Sequence, residues 1–249
     1  MFGLDFQTST LAMRRSGGAG LLPALPSLRA WYDPSDLTRL FQDDAATIPV
    51  DADGDPVGAI HDKSGNGYHL TQANSTARPI YKTDGTRHWL ETQGTSRNLF
   101  ADTRLGLAAD PNIIVSAALR PLSNLSVWNG VFGLGTGHGS LNGAFGTGGL
   151  SWRHINGATV FGSMALGTDA VVSWERSAGD RYMDGRAYVD GVQRAAAGTN
   201  TLNASNTAEK FSLMASDNNS ADFLLYGLVV LGSDTTADRS VAETWLASL

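Results

Sequence analysis

The chain has 249 residues, 18 Lys and Arg against 24 Asp and Glu, a formal net charge of -6, 29 Gly, no Cys and 17% charged residues. An acidic chain without a basic cluster argues against nucleic acid as principal partner, because phosphate binding needs clustered Lys and Arg. The absence of cysteine removes disulfides, thiolate chemistry and Cys-type zinc sites, and the glycine content at this length describes one turn-rich β domain.

In chain order, Phe2, Leu4 and Phe6 alternate before Gly17-Gly18-Ala19-Gly20, Pro23 and Pro26 break any regular element. Residues 1–27 are therefore expected to form an arm outside the core, either a disordered terminus or a segment that adds a strand to a neighbouring subunit. Leu21 to Leu28 is too short and proline-broken for a signal-peptide core, and Arg14-Arg15 is followed by Ser16-Gly17-Gly18 where an export signal would turn apolar. No apolar run approaches the roughly 20 residues needed to span a bilayer. These features lead us to expect synthesis and assembly in a cytoplasm, without membrane insertion.

Leu28 to Tyr32 reads as a short strand stopped by Pro34, Ser35 and Asp36. Asp53-Gly54 and Ser64-Gly65-Asn66-Gly67 read as turns flanking a brief β-prone run at Val57 to Ile60. Further β-type runs occupy Trp89 to Phe100, Asn112 to Arg120, Val131-Phe132, Phe145, Leu150 to Ile155, Val160 to Met164, Ala170 to Arg176, Arg181 to Val189, Phe211 to Ala215 and Phe223 to Leu231. Many short strands at hairpin spacing predict a sandwich. At the end, Thr235 followed by Asp238 forms a capping-box variant, and Ala237, Val241, Trp245 and Leu249 predict the apolar stripe of a short terminal helix.

The order of these segments resembles a concanavalin A-like lectin/glucanase domain, or laminin-G-like jelly roll, of the kind found in phage and prophage structural proteins. The resemblance covers most of residues 28–249. It rests on Leu28-Arg29-Ala30-Trp31-Tyr32-Asp33-Pro34-Ser35-Asp36-Leu37, Asp53-Gly54-Asp55-Pro56-Val57-Gly58, Asp62-Lys63-Ser64-Gly65-Asn66-Gly67-Tyr68-His69, Ala77-Arg78-Pro79 and Ala187-Tyr188-Val189-Asp190-Gly191-Val192. In the last of these the family usually shows Asn where this chain has Asp190. The resemblance implies an all-β, two-sheet antiparallel jelly-roll sandwich whose first and last strands lie near each other, here with a short C-terminal helix and an extended N-terminal arm. It leaves function open, since such sandwiches serve as sugar-binding modules, hydrolases and inert structural domains.

Candidate chemistry is sparse in one dimension. Glycoside cleavage generally needs two carboxylates about 5 to 9.5 Å apart, yet Glu91, Glu175, Glu209 and Glu243 are scattered, so the chain is expected not to be an enzyme. Ser140 lacks a nucleophile-elbow context, and His138 and His154 read as bystanders. Gly133 to Gly137 matches no phosphate-binding loop. Asp51, Asp53 and Asp55 alternate like a calcium loop, but Pro56 stands where an EF-hand needs glycine, which favours a plain Asp-Gly turn; no cofactor or metal is expected. Sugar binding asks for an aromatic face and hydroxyl partners, and two groups qualify: Trp152, His154 and Asn156 along one strand, and the loop Asp217, Asn218 and Asn219.

The expectation is a phage-type virion protein, a tail or head appendage whose residues 1–27 contact other virion proteins. Its lectin-like domain, residues 28–249, would meet host-surface polysaccharide, with self-association into a homo-oligomer. A purely structural decoration protein is the alternative, and a glycoside hydrolase is less favoured.

Overall fold

The computed structural model describes residues 20–93, 97–122, 129–134, 141–146, 149–154, 157–181, 184–197, 210–214 and 222–249. The described residues form eighteen strands: β1 (Leu28–Tyr32), β2 (Leu40–Phe41), β3 (Ala59–Ile60), β4 (Leu70–Thr71), β5 (Ile80–Thr83), β6 (His88–Glu91), β7 (Leu99–Ala101), β8 (Ile113–Pro121), β9 (Asn129–Leu134), β10 (Leu141–Gly146), β11 (Gly149–His154), β12 (Gly157–Ser163), β13 (Ala170–Arg176), β14 (Arg186–Val189), β15 (Val192–Gln193), β16 (Ala196–Ala197), β17 (Phe211–Leu213) and β18 (Phe223–Leu231). Among the described residues one α-helix, α1 (Thr236–Leu246), follows β18.

The strands form two antiparallel sheets. One has the order β15-β14-β13-β8-β18-β6-β5, with β1 pairing on β18 beside β6; the other runs β16-β12-β11-β10-β9-β17-β7-β4-β3-β2. Pairing of β1 with β18 joins the two ends of the domain, with Tyr32 opposite Leu228 and Trp31 opposite Val229. Their inner faces enclose the main core, which includes Val115, Leu119, Phe132, Trp174, Phe211 and Leu228. A second apolar cluster, including Trp31, Ile114, Tyr226, Val229 and Trp245, lies on the outer face of the first sheet, under α1. The architecture is therefore a β-sandwich with a helix laid on one side, as the sequence patterns predict.

Strand β18 shows how the sequence produces both layers. All nine of its residues are buried, which accounts for a continuous apolar run where a half-exposed strand would alternate. Phe223, Leu225, Leu228 and Val230 join the inner core, whereas Leu224, Tyr226, Val229 and Leu231 join the outer cluster. The parity changes between Leu225 and Gly227, where the pairing with β8 shifts register. This β-bulge inserts one residue and puts Tyr226 on the outer face. Gly227 then lets the helix seat: a Cβ there would lie 2.6 Å from Leu249 Cδ1 and 3.3 Å from Leu246 Cδ2.

Helix α1 begins as expected, with Thr235 as N-cap accepting from the Asp238 backbone N–H at 3.3 Å. Its buried face differs from the predicted stripe. Arg239, Ala242, Trp245 and Leu246 are buried, while Ala237 is exposed and Val241 only half-buried. The helix is turned because the outer face of the sheet presents Glu175, an anion that takes Arg239 inward. Trp245 packs edge-on against Trp31 at 5.1 Å and donates from Nε1 to the Gly20 carbonyl at 2.6 Å. Residues 20–27 thus lie against α1: Leu22 is buried there, and the Gly232 N–H donates to the Ser27 carbonyl at 2.7 Å. Residues 1–19, the rest of the expected arm, lie outside the described residues. No helix among the described residues is long and apolar enough to cross a membrane.

The opening motif is a set of carboxylate staples. Asp62, 3% exposed, accepts from Trp31 N at 2.9 Å, Ser64 N at 2.8 Å, Ser64 Oγ at 2.6 Å and Tyr68 N at 3.1 Å. Asp33 accepts from Ser35 N, Ser35 Oγ and Lys63 Nζ. The alternating aspartates of the next loop are also structural. Asp53 pairs with Lys82 at 2.6 Å and accepts from Thr83 N, while Asp55 accepts from the N–H groups of Asp51 and Ala52. Their carboxylates face different partners instead of one ion.

Removing the Asp62 carboxylate strands several backbone donors in a buried place. Asp62→Ala is expected to lower the unfolding free energy by ~3 kcal/mol, from orphaned buried donors at about 1–3 kcal/mol each. Urea denaturation followed by circular dichroism measures this; a change below about 1 kcal/mol would show that water replaces the staple.

Candidate functional site

On the outer face of β8 and β13, Ser116, Ser173 and Glu175 stand among apolar neighbours such as Ile114 and Val171, so the sheet presents a short polar row to α1. Ser116 and Ser173, opposite each other in register, share a 2.7 Å hydrogen bond, and Ser173 Oγ donates to Glu243 Oε1 at 2.8 Å. Glu175 is paired on both sides, with Arg186 at 2.7 Å and with Arg239 from the helix. Arg239 also lies 3.4 Å from Glu243 Oε1 and stacks over the Tyr188 ring, its guanidinium carbon 3.4 Å from the centroid. Two glutamates far apart in sequence therefore share one buried arginine.

Beside this network, a groove runs along the carboxyl end of α1 in two lobes that share Val171, Asp190 and Ala247. The first, about 280 Å³, is bounded by Arg87, Asp169 and Tyr226. The second, about 350 Å³, is bounded by Ser240, Glu243 and Thr244. Asp190 stands between them on the β14–β15 turn. Its φ of 50° and the φ of 75° at Gly191 form the tight hairpin expected from the Asp-Gly pair, with Val189 opposite Val192.

In the first lobe Asp169 gathers four donors: Arg120 Nε at 2.7 Å and Nη2 at 2.6 Å, Arg87 Nη1 at 3.0 Å and the Tyr226 hydroxyl at 2.9 Å. The Arg120 hydrogen bond, foremost, holds the Asp169 carboxyl below its ordinary range. Burial, then the hydrogen bond to Asp169, pushes the Tyr226 hydroxyl up to about 12, so it remains a donor at neutral pH. Trp89 meets the Tyr226 ring edge-on at 6.1 Å, and Arg87 lies over the same ring at 5.5 Å. In the second lobe burial raises the Glu243 carboxyl above its usual range, more than Ser173 and Arg239 lower it. The groove thus joins an apolar floor to a rim of carboxylates, hydroxyls and arginines. That combination can seat a polyhydroxylated ring, with C–H faces on the floor and hydroxyls on the rim.

The sequence-predicted site lies elsewhere. Trp152 and His154 are on β11 of the other sheet, Trp152 opposite Gly143 and Thr159 and His154 opposite Gly157. Asn156, Asp217, Asn218 and Asn219 lie outside the described residues. Arg87, Asp169, Tyr226 and Glu243 were not anticipated as a group, because the β5–β6 turn, the β12–β13 connection, β18 and α1 supply them separately. One signal was present: an isolated glycine within a strand pattern, Gly227, marks a bulge. Among the described residues, no group of three or more His, Cys, Asp or Glu could hold a metal ion.

No protein-family model matches the chain, and no curated protein does. Solved structures match in fold. Trypanosoma rangeli sialidase in complex with 2,3-difluorosialic acid aligns with a TM-score of 0.59 and 13% identity, over 90% of this chain and 33% of that one. The binding domain of botulinum neurotoxin serotype G aligns at 0.56 and 12%, over 76% and 48%. Domain 4 of AbnA, a GH43 extracellular arabinanase from Geobacillus stearothermophilus, solved with arabinotriose, aligns at 0.58 and 15%, over 87% and 97%. The chain thus spans about a third of the sialidase and nearly all of the arabinanase domain. At such low identity these alignments show a shared fold alone, the β-sandwich.

The matches correct the expectation that the chain is not an enzyme. That exclusion rested on glutamates scattered in sequence, but the fold recurs in sialidase chains and in a domain of an arabinanase. Spacing along the chain was also the wrong test, since Glu175 and Glu243 converge on Arg239.

Glu243 carries a measurable consequence. Its folded-state carboxyl binds a proton more readily than in the unfolded chain, so ionising it costs stability as pH rises above the ordinary glutamate range. Glu243→Gln, which keeps an acceptor for Ser173, is expected to raise the unfolding midpoint at pH 7 and to flatten its pH dependence upward from pH about 4.5. A midpoint that falls at pH 7 would show that the Arg239 attraction outweighs burial.

Proposed function

We propose that this chain is a glycan-binding domain that receives a saccharide in the two-lobed groove at the carboxyl end of α1. The observation carrying this reading is the groove itself, an apolar floor rimmed by Asp169, Asp190, Glu243, Ser240 and Thr244. Near end-to-end agreement with an arabinanase domain solved with arabinotriose supports it. In finer form, the domain belongs to a phage-type virion appendage, assembled in the bacterial cytoplasm, that meets host-surface polysaccharide. The segment before residue 20 would join it to other virion proteins or to further copies of itself. The opening signature from Leu28 to Leu37 and the Gly-rich segment at Gly17 to Gly20 support this finer form.

Ala247 is exposed, lines both lobes and has an ordinary αR backbone. Ala247→Trp should fill the groove without removing a hydrogen bond. Titration calorimetry with arabino-oligosaccharides and purified bacterial surface polysaccharide is expected to show binding by the unaltered chain, weakened at least tenfold by Ala247→Trp at unchanged circular dichroism. Trp152→Ala should leave binding intact. The reverse pattern would place the site on β11, and no binding by the unaltered chain would remove the reading; release of reducing ends would identify a hydrolase. For the finer form, deleting residues 1–19 should abolish incorporation into particles, and retained incorporation would refute the anchoring role.

A further inference from the structure

Resting on that reading, we infer that the groove selects against anionic sugars, and that Asp190 is the residue that sets this preference toward neutral or amine-bearing saccharides. The cations around the groove already have carboxylate partners. Arg120 is held in two hydrogen bonds to Asp169, Arg87 divides between Asp169 at 3.0 Å and Asp84 at 3.3 Å, and Arg239 lies between Glu175 and Glu243. A sugar carboxylate or sulfate entering here must displace one of these anions to gain a cation.

Asp190 makes the balance negative. It is exposed, lines both lobes, and no ion pair among the described residues reaches it. Its Oδ1 accepts from the Val171 N–H at 2.9 Å. The fold asks two things of this position: a residue that tolerates positive φ, and a side-chain acceptor for Val171. Asparagine supplies both, so the hairpin does not explain the charge. The residue that carries it lines both lobes.

One further feature has the same sign. Helix α1 has no basic residue in its last turn, so the negative end of its dipole meets the lobe at Thr244 and Ala247 without a side-chain cation. An ammonium or a set of hydroxyl donors is favoured in such a place; a second carboxylate is repelled. Asp190, exposed and adjacent to both lobes, contributes on the scale of a solvent-accessible charge, a few-fold per ligand charge.

The test compares tetramers of glucosamine, N-acetylglucosamine and galacturonic acid, titrated into the full chain, the Asp190→Asn variant and the Ala247→Trp variant. The glucosamine tetramer is expected to bind about tenfold more tightly than the galacturonate tetramer at low ionic strength, with the ratio shrinking in about 0.5 M NaCl. Asp190→Asn, which keeps the Val171 hydrogen bond, is expected to cut that ratio to about threefold with an unchanged unfolding midpoint. Equal or tighter binding of galacturonate, or a ratio unmoved by Asp190→Asn, would overturn the inference while leaving a glycan-binding domain in place. A ratio that survives Ala247→Trp would overturn it too, by locating the discrimination outside the groove. Binding by none of the three tetramers would count against the groove as a saccharide site and so against both readings.

Discussion

Burial of β18 on both faces is the constraint from which the remaining architecture follows. A central strand covered by a second sheet on one side and by solvent on the other would carry polar residues at alternate positions; this one carries none. The outer face therefore needs its own cover, and α1 with residues 20–27 provides it. Close approach of the helix depends on Gly227, where any side chain would meet Leu246 and Leu249. The bulge next to that glycine sets Tyr226 beside the helix end, where it lines the groove with Leu246, Ala247 and Leu249.

Polar groups at the helix–sheet interface trade stability for position. Glu175 is almost fully buried and answered by two arginines, an arrangement whose Coulombic gain is largely offset by desolvation. Its effect is to select one rotation of α1 among those that an apolar stripe would permit, since Arg239 must face inward. That rotation brings Glu243 to Ser173 and exposes Ser240 and Thr244 to the groove. The same interface thus orients the helix and supplies half of the rim.

The fold is shared with proteins of different activity, among them sialidases, a neurotoxin binding domain and an arabinanase domain. A sandwich with two large faces and many loops can host sites in several places, and the scaffold does not choose among them. In this chain the opening motif is occupied with structure. Asp33, Asp53, Asp55 and Asp62 each hold backbone or lysine donors. Asp62 ties β1 to the turn that follows β3, and Asp53 ties its own loop to β5.

Local physics made much of this legible in one dimension. Alternation and apolar runs marked β8, β13 and β18, the Asp190-Gly191 pair marked its hairpin, and Thr235 with Asp238 marked the start of α1, because each depends on neighbours within a few residues. The buried face of α1 was misjudged, since only the position of Glu175 across the interface explains why an arginine turns inward. The groove was invisible for the same reason: Arg87, Asp169, Tyr226, Asp190 and Glu243 belong to separate elements, and nothing in their spacing records that the sheet pairing brings them together. The sequence by itself determined strands, turns, cap and class of fold, through short-range sterics and hydrophobic period. Only the tertiary structure decided the helix rotation and the groove, because both depend on charges and shapes meeting across long stretches of chain.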